Sequence, residues 1–149
     1  MRMTILYIVV LGMAAGCSTV QNAVVEEDGK MPDTLRGAWI LEVENLEHKT
    51  ISTATIRFTD EKATSCLGGD WKRVAVESHS SSDATFFPVV NALSYELRHH
   101  LLTIGRNEVC DAYLHLSGEL DDSITRGNYV AFGWGHQHKG YFSLRRGAE

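Results

Sequence analysis

The chain has 149 residues, with 14 basic and 19 acidic side chains and 7 histidines, for a formal net charge of −5. That length leaves no room for two ordinary domains. The acidic balance, with no stripe of Lys or Arg, argues against a surface that tracks nucleic-acid phosphates.

At the N-terminus Arg2 precedes an apolar stretch from Ile5 to Ala15, broken only by Gly12, that ends in Ala14-Ala15-Gly16-Cys17. A basic residue, an apolar run and a small-residue cleavage site, in that order, are the marks of an export signal. The run is shorter than the roughly 18 to 20 apolar residues that span a bilayer, and no later segment is apolar enough to do so. The last four residues resemble the lipobox of bacterial lipoproteins, with Ala14 where that family usually carries Leu. The resemblance implies removal of residues 1–16 and acylation of Cys17, palmitate included, so that the mature protein is held on a membrane by its lipid. Ser18 in place of Asp after the cysteine implies the outer membrane, facing the periplasm. An ordinary secretory signal, leaving Cys17 as a thiol, is the competing reading. Without Arg2 the mature chain carries 13 basic against 19 acidic residues, about −6.

Residues 17–34 then form the lipidated N-terminus and a tether. Glu26, Glu27, Asp28, Gly29 and Pro32 with few bulky side chains read as a flexible spacer, reaching about 20 to 25 Å on random-coil scaling. Residues 35–149 form the domain. Cys66 and Cys110 are an even pair in an exported domain and are expected to form a disulfide. The bond would stabilise by roughly 4 kcal/mol on the chain-entropy model. No Cys-x-x-Cys spacing supports a redox or metal role for them.

From Thr34 onward the apolar residues recur with period two, which predicts strands. Trp39, Leu41 and Val43 share one parity and are followed by a turn at Asn45–Lys49. Ala54, Ile56 and Phe58 form a second apolar face ending at Thr59–Lys62. A third strand is expected over Trp71–Glu77, before a polar loop at His79–Asp83. Pro88 makes Phe86–Val90 an edge or irregular segment. Asn91–His99 reads as a strand with Leu93, Tyr95 and Leu97 on one face, though a short helix competes. Leu101–Ile104 follows, and the segments Val109–Leu116, Gly118–Ile124, Tyr129–Trp134 and Tyr141–Arg145 alternate between polar or glycine turns. Seven to nine short strands at this spacing predict an all-β, antiparallel up-and-down barrel of about eight strands, closed so that no edge is left exposed. A barrel of that size either fills with its own side chains or holds one small ligand.

Gly37-Ala38-Trp39 at the start of the first strand resembles the Gly-x-Trp of lipocalins and related small calycin-type barrels, and Gly140-Tyr141-Phe142-Ser143-Leu144-Arg145 resembles the closing strand of bacterial lipocalin-like domains. The resemblance implies a structural closure in which a basic residue of the last strand, Arg145 or Arg146, covers Trp39.

Chemistry is sparsely marked. His136 and His138, one residue apart, would share a face of an extended strand and could ligate a metal with a third residue from His99, His100 or His115; a solvated turn is the bland alternative. Glu119, Asp121 and Asp122 lack EF-hand spacing and read as a charged hairpin end. Trp71, Tyr129, Phe132 and Trp134 suit either a ligand cavity or plain core. No Gly-x-Ser-x-Gly elbow is present, so no enzyme activity, catalytic residue or cofactor is expected. The leading expectation is a barrel that binds a small apolar or amphipathic ligand in its mouth. The alternatives are a protein-interaction module, such as an envelope inhibitor or accessory subunit, and a metal-binding envelope protein. Periplasmic lysozyme inhibitors are barrels of the interaction class, but their Ser-Gly-x-x-Tyr loop is absent here. An open apolar interior would favour the ligand; a densely filled one, with polar and aromatic residues clustered on the loops, favours a protein partner.

Overall fold

A computed structural model describes residues 31–65, 68–107, 113–133 and 135–147. After a short 3-10 turn at Asp33–Leu35 come β1 (Ala38–Asn45), β2 (Thr50–Lys62), β3 (Lys72–Ser81), β4 (Leu93–Arg98), β5 (Leu101–Arg106), β6 (Tyr113–Glu119), β7 (Ile124–Phe132) and β8 (His136–Arg146). Each strand pairs with the next, and β8 returns to β1, closing an antiparallel up-and-down barrel. Period-two patterning produces this result because each strand has one wet face and one dry one. Trp39, Leu41 and Val43 point inward from β1, and Leu102 and Ile104 do so from β5.

Two segments depart from the sequence expectation. The polar run His79-Ser80-Ser81 belongs to β3 and is not a loop, because it pairs with Ser52–Ala54 of β2 and the Ser52 and Ser81 hydroxyls bond at 2.7 Å. The segment Gly118–Ile124 is not a strand. It contains the β6–β7 turn, where the Asp121 carboxylate accepts the Ser123 hydroxyl and the backbone N–H groups of Ser123 and Ile124. Those bonds, the Ser123 hydroxyl first, draw its pKa down to about 2. His99 and His100 form the two-residue β4–β5 turn with φ of 53° and 105°, the positive-φ geometry that a tight hairpin requires and that histidine adopts at a cost.

One end of the barrel is sealed around β1. Gly37 takes φ of 92°, open to glycine and strained for other residues, and swings the 3-10 turn beneath the barrel, where Leu35 is fully buried. Trp39, also fully buried, donates its indole N–H to the Leu35 carbonyl at 3.0 Å. Arg146 lies with its guanidinium 4.6 Å from the Trp39 ring centroid and donates to the carbonyls of Arg36 and Thr34, each at 2.6 Å. Arg145 points the other way, 3.5 Å from Glu42. At the same end Asp60 accepts the Met31 N–H at 2.6 Å and pairs with the buried Lys72 at 3.1 Å.

Candidate functional site

The opposite end carries the β1–β2, β3–β4, β5–β6 and β7–β8 connections. Its construction follows from a short pairing: β3 meets β4 only through Lys72, Arg73 and Val74 opposite Tyr95, Ser94 and Leu93. Beyond Val74 the wall is completed by the loop 82–92 instead of by a strand ladder. Asp83 starts this loop by accepting the Thr85 hydroxyl at 2.7 Å and N–H at 2.9 Å, bonds that hold its carboxyl below the usual range. The chain then dips inward, burying Phe87 and Val89. Phe86 and Phe87 meet the Tyr129 ring edge-on at 5.1 and 5.4 Å, and the Tyr129 hydroxyl donates to the Phe86 carbonyl.

Below this plug the interior is occupied. Leu41, Ile56, Phe58, Tyr95, Leu116, Phe142 and Leu144 interdigitate in one continuous core with Phe87 and Val89. A cleft of about 220 Å³ opens between the end of β3 and the loop, lined by His79, Ser80, Ser81, Ala84, Val89 and Val90. That is smaller than the roughly 300 Å³ at which drug-sized ligand pockets begin.

Register also places the aromatic and histidine residues. Tyr129 pairs with inward Leu116 and lies inside, whereas Phe132 pairs with Tyr113 on the outer surface. Trp71 is outside too, packed on Tyr113 at 6.2 Å. Gly105 makes room for this arrangement, since a Cβ there would strike the Tyr113 ring. Phe132 sits between two imidazoles, His115 at 4.3 Å and His136 at 4.1 Å. Burial, then the proximity of His136, pushes the His115 pKa down to about 4. His138 and His136 lie opposite Val130 and Phe132, so they share the outer face. His138 contacts Tyr141 at 4.9 Å, and His48 stacks on the same ring at 4.3 Å. Among the described residues no three His, Cys, Asp or Glu side chains converge as a metal site. Cys17, Cys66, Cys110 and Trp134 lie outside the described residues.

Sequence reasoning overlooked Arg106. It pairs with Leu93 and alternates with buried Leu102 and Ile104, which puts its side chain on the barrel's inner face at the mouth. Its only sequence signal is a cation at an inward parity position. The chain matches no protein-family model, no curated protein and no solved structure.

Proposed function

We propose that this is a non-enzymatic envelope protein, lipid-anchored through Cys17, whose barrel serves as a scaffold and whose loop end binds another envelope protein. The observation that carries this reading is the filled interior: the volume a carried ligand would need is taken by Phe87, Val89 and the side chains beneath them. The loop end also displays what a partner could use. Leu46 and Val90 are 55% and 63% exposed there, beside the His48–Tyr141–His138 and Phe132–His136 contacts. Aromatic and apolar anchors with a polar surround are the usual make-up of a binding patch.

Photo-crosslinking residues at positions 46 and 90, with 101 and 122 at the sealed end as controls, test the reading in intact envelopes. A discrete protein adduct from 46 and 90 alone is expected. Adducts from all four positions, or from the controls only, would remove it.

A second reading, a small amphipathic ligand in the mouth, is favoured by the plug itself. A wall made of a loop can lift where a strand ladder cannot, enlarging the 220 Å³ cleft. Labelled palmitate incorporated by the chain and lost in Cys17→Ser checks the anchor. The Cys66–Cys110 disulfide is supported by what flanks it: Ser65 hydrogen-bonds Tyr113, and Trp71 packs on the same ring. Mass spectrometry before and after reduction of the alkylated protein decides it, a gain of two blocked thiols being expected.

A further inference from the structure

We propose that the barrel mouth binds a carboxylate, with Arg106 as the group that receives it, and that the carboxylate belongs to a small amphiphile. This goes beyond partner binding at the loop surface, since the group concerned faces inward.

Arg106 is half-buried, and its Nε is fully shielded from solvent without a hydrogen-bond partner. It makes no ion pair among the described residues, whereas Arg36, Arg57, Arg73, Arg98 and Arg145 each pair with a carboxylate. A shielded guanidinium N–H without an acceptor is costly to keep, and a planar fork of donors matches a carboxylate bidentately. The neighbouring groups do not neutralise it. Tyr129 lies within its electrostatic reach with a hydroxyl already given to the Phe86 carbonyl. Asp83, the acidic group on the covering loop that also acts on Tyr129, is occupied by Thr85. Asn107 adds a second unmet demand beside it. Its side chain is buried and neither amide atom has a partner, while its backbone N–H bonds the Ala92 carbonyl at the end of the loop.

The loop anchored at Phe86 and Ala92 therefore passes over a cation and an amide that lack partners, and it also walls the cleft with Ala84, Val89 and Val90. A carboxylate on Arg106 with an apolar chain along those residues satisfies both surfaces. The small size of the cleft limits the ligand to a short chain unless Phe87 and Val89 lift.

The test uses the exported chain with Cys17→Ser, which keeps every strand of the barrel, titrated calorimetrically with decanoate, decan-1-ol and acetate. Decanoate is expected to bind at one per chain, at least tenfold more tightly than decan-1-ol, and Arg106→Gln should lose at least tenfold while Arg106→Lys loses less. Arg106→Leu separates this from a structural role: it should melt at a higher temperature than the parent without ligand, because an unpaired charge leaves the interior, and no longer respond to decanoate. Equal binding of acid and alcohol, decanoate binding unchanged in Arg106→Gln, or a lower melting temperature for Arg106→Leu would overturn the proposal. A peptide with a free C-terminal carboxylate that binds where its amide and decanoate do not would give the carboxylate to a protein partner and overturn the amphiphile.

Discussion

The two ends of this barrel are closed by different means. At the end beneath β1, the 3-10 turn, Trp39 and Arg146 are joined by an indole hydrogen bond, a cation–π contact and two guanidinium–carbonyl bonds. At the other end a single loop lays Phe87 and Val89 into the core and is held to the wall chiefly by Tyr129 and one backbone bond to Asn107. The first end satisfies its polar groups within itself. The second leaves Arg106 and Asn107 unsatisfied and its apolar Leu46 and Val90 in water. A fold tolerates such deficits where something else supplies the missing contacts, and the sealed end provides the rigidity against which the loop end can change.

Truncation should separate the two ends most sharply. Trp39→Ala is expected to cost about 4 kcal/mol or prevent folding, because it leaves a cavity inside a rigid turn and frees Arg146 and the Leu35 carbonyl. Phe87→Ala should cost about 2 kcal/mol, since the loop can collapse into the vacated space. Urea unfolding of the two variants measures the difference, and equal losses would erase the distinction between the ends.

Acid should act through the loop end next. Because the His115 pKa is held down to about 4, the folded state binds fewer protons than the unfolded state between that value and the ordinary histidine pKa of about 6.5. Its contribution is therefore fully present above pH of about 6.5 and is lost as pH falls toward about 4. The loss should be on the order of 1 to 2 kcal/mol after allowing for partial exposure, and His115→Gln should flatten it. A parent stability curve that is flat over this window would show the imidazole to be freely hydrated.

Within the sealed end, Arg146→Ala should destabilise by about 1.5 kcal/mol, while Arg145→Ala, losing an exposed pair with Glu42, should change stability by less than about 0.5 kcal/mol. Matching values would mean that the cap over Trp39 contributes nothing beyond surface charge. The smallest effect is a gain: His100→Gly should add about 0.5 to 1 kcal/mol by relieving a φ of 105° in the β4–β5 turn. Thermal melts of the two proteins check it.

Much of the barrel was legible because inward and outward residues alternate wherever one face is dry. Trp39-Leu41-Val43 and Ala54-Ile56-Phe58 announce their strands without help from the rest of the chain. The polar His79-Ser80-Ser81 run did not, because its strand is held by the β2 ladder and leaves the core behind. Gly118–Ile124 misled for the opposite reason, its alternation being interrupted by a turn that Asp121 stabilises locally. The loop end was the least readable part. That Tyr129 faces in while Phe132 and Trp71 face out depends on register, and that Arg106 lacks a partner depends on where every carboxylate ends up, which composition and spacing do not encode.

Native-state hydrogen exchange, read residue by residue, tests most directly whether one end is fixed and the other can open. The amides of Phe86, Val89 and Asn91 should exchange through a local opening at least a hundredfold faster than those of Leu41 and Val43, with a weaker dependence on denaturant. Protection of the 82–92 loop equal to that of β1, lost only with global unfolding, would show a barrel sealed at both ends and contradict the account.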